Sequence, residues 1–130
     1  MHPEVLVGNA ANDGLQFRGW FVGHFVPADL GPRSTDSVEI KWGRHSDGET
    51  RAEWAVSSAA TSLSLVVRGR IRLYFDDGSE ALLAEAGDYA LWPAGTAHRW
   101  RIEADDTVVL TVRWPSRPGD AADLAHRPVT

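Results

Sequence analysis

The stretch from Gly87 to Ile102, GDYALWPAGTAHRWRI, constrains the fold more than any other part of this 130-residue chain. A Gly-Asp pair marks a turn, a short apolar run predicts a strand, and Pro93-Ala94-Gly95 predicts a tight reversal of the chain. The reversal leads into a second strand that begins close to His98. The spacing therefore predicts a corner that fixes the direction of one imidazole ring.

Short strands separated by Gly and Pro turns make up most of the remaining sequence. The chain contains 12 Gly and 7 Pro, and no segment of ten or more residues shows a helical stripe of apolar side chains. Further strands are predicted at residues 18–26, 37–45, 62–75, 80–84 and 107–114. Residues 48–61 are expected to form a strand with a bulge or an irregular loop. The pattern predicts an all-β fold, a small antiparallel β-sandwich or barrel.

Two predicted strands bear on which side chains point inward. In residues 37–45 an apolar side alternates with a polar side that contains Lys41 and His45, and the polar side is expected to face either solvent or a wet lumen. In residues 62–75 a period of two continues across Gly69 and predicts one strand with a bulge or a bend at this glycine. Its apolar members are Leu63, Leu65, Val67, Ile71, Leu73 and Phe75.

Size and composition limit the classes of protein that this chain can be. A single domain over residues 1–130 is expected, with a barrel core at about 18–114 and a C-terminal tail at 115–130. Within this tail, residues 120–127 are expected to form one or two helical turns or a loose segment. The net charge of −5, without a Lys/Arg run, argues against nucleic acid as a partner.

The absence of cysteine excludes disulfides and thiolate sites, and fits a cytoplasmic location. No segment approaches the roughly 20 apolar residues needed to span a bilayer, so no membrane partner is expected.

The spacing Gly87, five residues, Pro93, one residue, Gly95, two residues, His98 resembles the second motif of the cupin superfamily, a group of jelly-roll β-barrels. The resemblance covers about residues 38–114. The segments KWGRHSDGETRAEW and VLTVRWPS are similar to small single-domain bacterial cupins of undetermined activity. The resemblance implies a jelly-roll barrel, an inward-facing His98 and a homodimer, although Ile102 stands where the family has Asn.

The family's metal ligands are largely missing. Its first motif supplies two His and one Glu, which join the second-motif His around a divalent ion. Counting back from Gly69 gives Ser62 at the Glu position, Ser57 or Ser58 at the second His and Ala55 or Val56 at the first. A longer loop would instead put Arg51 and Glu53 at the two His positions. One remaining ligand, His98, does not hold a divalent ion against water.

The cofactor is therefore unknown, and a metal is not favoured. A rearranged site is the alternative, built from His98 with His45, His24, Glu49 or Glu53, since divalent ions accept such N/O sets. If a metal is present, His98, His45 and Glu53 are the predicted ligands. The other possibility is that these histidines are half-buried and bonded to the backbone, with both carboxylates in solvent.

Aromatic and charged side chains near the corner predict an organic ligand. Pockets for small molecules combine rings with a few convergent polar groups. His98 is the candidate catalytic residue, and the candidate ligand-binding residues are Trp100, Trp54, Tyr89, Arg51, Glu53 and His45. Arg51 with Glu53, or Arg113 beside Trp114, would fix a carboxylate or hydroxyl of the ligand, or else form surface ion pairs.

Three functions remain open. The first is a cupin that binds a small organic molecule and has a degenerate metal motif. The second is an enzyme in which His98 is a metal ligand or a general acid or base for an isomerisation, cyclisation or lyase step. The third is a non-catalytic regulatory or interaction module with a filled barrel.

Overall fold

The computed structural model of the protein describes residues 4–123. Helical structure in this range comprises α1 (Ala10–Asp13) and two 3-10 helices (Leu15–Phe17 and Ala28–Arg33). The strands are β1 (Trp20–Val22), β2 (Glu39–His45), β3 (Thr50–Ser57), β4 (Thr61–Arg68), β5 (Ile71–Phe75), β6 (Glu80–Leu83), β7 (Tyr89–Trp92), β8 (His98–Ile102), β9 (Thr107–Trp114) and β10 (Ala121–Asp123).

Within the described range, the strands form two five-stranded sheets packed face to face. The first has the order β1-β2-β9-β4-β7 and the second the order β10-β3-β8-β5-β6. Neighbouring strands in both sheets run antiparallel. The predicted all-β jelly-roll architecture is confirmed, and β8, which begins at His98, is the central strand of the second sheet.

Two predicted segments differ from the structure. The predicted strand at 18–26 is reduced to Trp20–Val22. Gly23, with a φ of +154°, forms an isolated bridge with Ser34 and does not continue the pairing with β2. At the other end, Ala121–Asp123 pairs with β3, where helical turns or a loose segment had been expected. The rest of that segment, residues 124–127, lies outside the described residues.

The prediction of one strand with a bulge or a bend at Gly69 is wrong, because β4 ends at Arg68 and β5 begins at Ile71. Gly69 has a φ of +91°, and a Cβ there would collide with Thr107, so the backbone turns sharply and passes from the first sheet to the second. As a result the period of two does not keep one face. Leu63 and Leu65 lie on the outer face of β4, whereas Ile71 and Leu73 point between the sheets from β5.

An apolar core fills one part of the space between the sheets. Its buried members are Val66, Ile71, Leu73, Leu83, Trp92, Ile102 and Val109. The remaining part is polar, because β2 and β9 turn Lys41, His45, Thr111 and Arg113 inward. The structure thus decides the question that the sequence left open: the polar side of β2 faces the lumen.

The outer face of the first sheet is correspondingly apolar. Strand pairing brings its side chains into two rows across β7, β4, β9 and β2. The rows are Leu91, Leu63, Val112 and Ile40, and Tyr89, Leu65, Leu110 and Trp42. Among them, Tyr89 and Leu91 are 62% and 54% exposed.

None of the helices within residues 4–123 has the length and hydropathy needed to cross a membrane.

Candidate functional site

His98 is placed by the corner that the sequence predicts. After β7 ends at Trp92, Gly95 takes a φ of +84°, and its N–H donates a 2.8 Å hydrogen bond to the Ser57 carbonyl of β3. The chain then enters β8, where His98 pairs with Ala55 on one side and Phe75 on the other. The ring is only 8% exposed and faces the space between the sheets. The corner thus fixes both the height and the direction of the imidazole.

His98 lies on a cavity of about 80 Å³ between the two sheets. The first sheet and the second sheet both contribute to its wall. The described residues that line it are Trp20, Lys41, Gly43, His45, Arg51, Ser64, Ile71, Leu73, Trp92, His98, Trp100, Val109, Thr111 and Arg113. The cavity combines aromatic rings with hydroxyl groups, imidazoles and cations, as small-molecule sites generally do.

The electrostatic environment keeps His98 neutral at pH 7. Burial, followed by the positive charges of Arg113 and Arg51, lowers the pKa of His98 to about 4, against weaker opposing effects of the Thr96 and Ala55 backbone. The ring packs against Trp92 with 4.7 Å between centroids. Its buried Nδ1 has no hydrogen-bond partner among the described residues. This nitrogen of the neutral imidazole is therefore buried without a partner in the described part of the chain.

Cations dominate the charge of the cavity wall. Burial and the neighbouring charges of Arg113 and Arg51 lower the pKa of Lys41. The Arg113 guanidinium lies 4.7 Å from the Trp20 ring centroid, and its Nη1 is 3.8 Å from Glu39 Oε1. Within residues 4–123 the buried Nε atoms of Arg51 and Arg113 have no hydrogen-bond partner. Both guanidinium groups thus retain donor capacity inside the fold.

His45 forms the edge of the cavity next to Trp100, with 5.0 Å between the two ring centroids. Its Nδ1 is 3.3 Å from the exposed carboxylate of Glu49. Burial lowers the pKa of His45, and Glu49 opposes this effect. His45 therefore links the lumen to solvent.

The structure brings four predicted site residues together, namely His98, Trp100, Arg51 and His45. It places the other three elsewhere. Tyr89 is exposed on the outer face of β7, and Trp54 stacks its ring on Arg99 at 4.9 Å outside the cavity. Glu53 is exposed in solvent.

A β-bulge explains why Arg51 points inward and Glu53 does not. Arg51 pairs with Trp100 and Ala55 pairs with His98, so four residue steps on β3 oppose two on β8. The extra residues interrupt the alternation that would otherwise put Arg51, Glu53 and Ala55 on one face. This segment was expected to form a strand with a bulge or a loop, and the strand with a bulge is what forms.

A family model for the EutQ-like cupin domain matches residues 38–120, which is more than half of the chain. The chain belongs to the EutQ-like cupin domain family. The match includes β2 to β9 and therefore most of the cavity wall. No curated protein matches this EutQ-like cupin significantly.

Solved structures share the fold of this EutQ-like cupin at low sequence identity. KdgF from a Halomonas species is 19% identical, with a TM-score of 0.58 over 65% of this chain and 74% of that chain. A double-stranded β-helix protein from Klebsiella pneumoniae is 19% identical, with a TM-score of 0.60 over 68% and 76%. An RmlC-like cupin from Shewanella frigidimarina is 18% identical, with a TM-score of 0.54 over 64% and 70%. These similarities show a common architecture.

The side chains around His98 do not fit a divalent metal. Over the described part of the chain, no group of three or more His, Asp or Glu side chains is arranged to hold one. The charges that act on His98 are those of Arg113 and Arg51, which would repel a cation. Ser62 is buried at the position expected for the family's Glu, and a hydroxyl does not replace a carboxylate.

The predicted rearranged metal set, His98, His45 and Glu53, is not assembled among the described residues. Glu53 lies in solvent and His45 contacts Glu49. His24 is also occupied elsewhere, because its Nδ1 is 2.7 Å from the Ser116 hydroxyl.

Sequence reasoning missed Trp20 as a cavity residue and left the directions of Lys41 and Arg113 undecided. All three lie on β1, β2 or β9 of the first sheet. The only sequence signal was the polar side of residues 37–45, which was compatible with solvent as well as with a lumen. Pairing of Lys41 with Trp20 and Thr111 places it inside, and this pairing joins distant segments of the chain.

The low pKa of His98 predicts an acid-sensitive fold. The unfolded chain, in which His titrates near about 6.5, binds a proton more readily than the folded chain with its pKa of about 4. Stability is therefore lost as pH falls through this window, by up to roughly 3 kcal/mol for the two to three pKa units involved. We expect the His98→Gln variant to lose less stability than the wild type between pH 6.5 and 4. Urea unfolding at several pH values measures the difference, and parallel curves would contradict it.

Proposed function

We propose that this EutQ-like cupin binds a small organic molecule in the cavity beside His98, and that side chains hold the molecule without a divalent metal. The observation that supports the proposal most strongly concerns three residues that line the cavity, His98, Arg51 and Arg113. Each has a buried polar atom without a partner among the described residues, namely Nδ1 of the histidine and Nε of each arginine. Unpaired buried donors and acceptors cost free energy. A ligand that pairs with them recovers this cost.

The size of the cavity limits the ligand. About 80 Å³ corresponds to roughly three molecules of liquid water at about 30 Å³ each. Sites for drug-sized ligands are several times larger, at about 300 to 1,000 Å³. The proposed ligand is therefore a molecule of a few heavy atoms, with a polar part near the cations and an apolar part near Trp92 and Trp100.

A second candidate function is catalysis by His98. The low pKa keeps the ring neutral at pH 7, so its unpartnered Nδ1 is able to accept a proton when that nitrogen is the unprotonated one. This favours a general base over a general acid for an isomerisation, cyclisation or lyase step. The enzyme hypothesis differs from simple binding in one observable. An enzyme converts the bound molecule into a product, and this conversion should be lost in the His98→Gln variant.

Tryptophan fluorescence tests ligand binding in the cavity. We expect a screen of small polar metabolites to yield a molecule that changes the emission, because Trp20, Trp92 and Trp100 line the cavity. The Trp100→Phe variant should lose a large part of the response. Trp54→Phe is the matched control, because this ring lies outside against Arg99, and it should leave the ligand-induced change intact.

A response that survives in Trp100→Phe but disappears in Trp54→Phe would place the ligand outside the lumen and contradict the proposal. If no small molecule in the screen changes the emission or raises the thermal midpoint, the binding and enzyme hypotheses both lose their support. The non-catalytic interaction module would then remain.

We also propose that the protein is a homodimer that buries the outer face of the first sheet. The two cross-strand rows end in the exposed side chains of Tyr89 and Leu91 and continue through the half-buried Leu63 and Leu65. Such faces are typical of interaction sites, and an interface between two copies of one chain is the simplest closed arrangement. The resemblance to dimeric cupins points in the same direction.

Replacement of Leu91 by Glu tests the dimer. A charge buried in an apolar interface costs free energy, so we expect the dimer dissociation constant to rise by about tenfold or more. Leu82→Glu is the matched control, because Leu82 is an exposed leucine on β6 of the other sheet. Sedimentation equilibrium should give twice the chain mass of 14.2 kDa for the wild type and the control. A monomeric wild type at high concentration would contradict the proposal.

A further inference from the structure

The charges on the cavity wall are unbalanced. Lys41, Arg51 and Arg113 all line the cavity, and no Asp or Glu is present among its described lining residues. Glu39 reaches Arg113 at 3.8 Å, but it also lies 3.4 Å from the Ser116 hydroxyl, away from the lumen. One carboxylate beside three cations leaves net positive charge in a partly enclosed space. Such an arrangement favours an anionic ligand over a neutral or cationic one.

The guanidinium donors that have no partner favour a ligand that is an oxyanion with more than one oxygen. Arg51 approaches the lumen from the second sheet, and Arg113 approaches it from the first. Each has a buried Nε–H without a partner among residues 4–123. A planar guanidinium presents its donors in a fork that matches the two oxygens of a carboxylate. Two guanidinium groups and an ammonium group therefore offer more donors than a hydroxyl or a single carbonyl would use.

The other side chains of the cavity wall favour a ligand that has a hydrocarbon part next to its anionic group. Ile71, Leu73, Trp92, Trp100 and Val109 line the same small cavity. An inorganic anion would leave these surfaces without an apolar partner. The cavity, at about 80 Å³, is also too small for a sugar phosphate or a nucleotide.

We propose that the lumen binds a short-chain carboxylate, with its two oxygens held by Arg51, Arg113 and Lys41 and its carbon chain packed against Trp92 and Trp100. This inference rests on the proposed function, because it names the chemical class of the molecule that occupies the same cavity. His98 lines the same cavity, and its buried Nδ1 has no hydrogen-bond partner among the described residues.

Calorimetric titration with matched probes tests the charge requirement. The probes are sodium propionate, propionamide, propylamine and inorganic phosphate, titrated to about 10 mM because ligands of few heavy atoms gain limited affinity. We expect propionate to bind at least about tenfold more tightly than propionamide, because the amide lacks the charge that strengthens hydrogen bonds to guanidinium groups. Propylamine should not bind, and phosphate should bind more weakly than propionate because it leaves the apolar wall uncovered.

Variants of the cations locate the binding. Arg51→Gln and Arg113→Gln should each weaken propionate binding by about 10- to 100-fold, the loss that corresponds to hydrogen bonds with a charged group. Arg101→Gln is the matched control, because Arg101 is an exposed arginine on the same strand as His98, and it should bind propionate like the wild type. Thermal unfolding checks that each variant is folded. If one of these variants does not fold, Lys41→Gln is tested in its place and should also weaken propionate binding.

The outcomes separate this inference from the proposed function. If propionamide binds as tightly as propionate, or if phosphate binds more tightly, the carboxylate assignment is overturned while binding in the lumen stands. If propionate binds equally well to wild type, Arg51→Gln and Arg113→Gln, it lies outside the cavity and the inference fails. If no short-chain carboxylate binds but the fluorescence screen finds another ligand, only the inference falls. If neither experiment finds a ligand, both proposals fall together.

Discussion

Burial of positive charge between the sheets is the constraint on which the candidate site depends. Transfer of a cation out of water costs free energy unless partners replace the lost hydration. The Trp20 ring makes cation–π contacts with two of the cations. Its centroid is 5.9 Å from Lys41 Nζ and 4.7 Å from the Arg113 guanidinium. Cation–π contacts of this kind contribute about 0.5 to 2 kcal/mol each. Glu39, whose pKa is raised by burial and lowered by Arg113, offsets part of the remaining charge.

The distribution of these groups separates the barrel interior into two parts. The apolar core is closed by side chains such as Leu73 and Ile102, which are almost fully buried. The polar part contains the cavity, which is lined by Lys41, Arg51 and Arg113. Trp92 lies at the boundary: its ring packs against Phe75 at 5.5 Å and against His98 at 4.7 Å. His98 therefore has an apolar support on one side and cations nearby, and both lower its pKa.

The sequence predicts the local features of this structure better than the distant ones. The corner before His98 depends on Pro93, Gly95 and their immediate neighbours, so the turn, the strand start and the ring direction follow from adjacent residues. The inward direction of Lys41 depends instead on which faces the two sheets turn towards each other. Alternation within residues 37–45 separates the two sides of that strand and says nothing about which side is enclosed.

Three placements that the sequence suggested differ from the structure for the same physical reason. Glu53 was grouped with Arg51 by counting along the family's first motif, but a bulge in β3 separates the directions of the two side chains. Leu63 and Ile71 were grouped by a period of two, but the chain changes sheets at Gly69. Tyr89 was placed near the pocket by its proximity in sequence to His98, yet its side chain lies on the outer face of an edge strand. In each case a contact with a distant segment decides the outcome.

Titration of the side chain of Lys41 tests the central claim, a lumen lined by cations, most directly. Lys41 is the only lysine in the chain, so selective carbon-13 labelling of lysine gives one set of side-chain signals in NMR spectra. Burial and the charges of Arg113 and Arg51 predict a pKa below the usual lysine value of about 10.4, and a partial return towards that value in Arg51→Gln. A pKa of about 10.4 in both proteins would show that the ammonium group lies in water and would contradict the account.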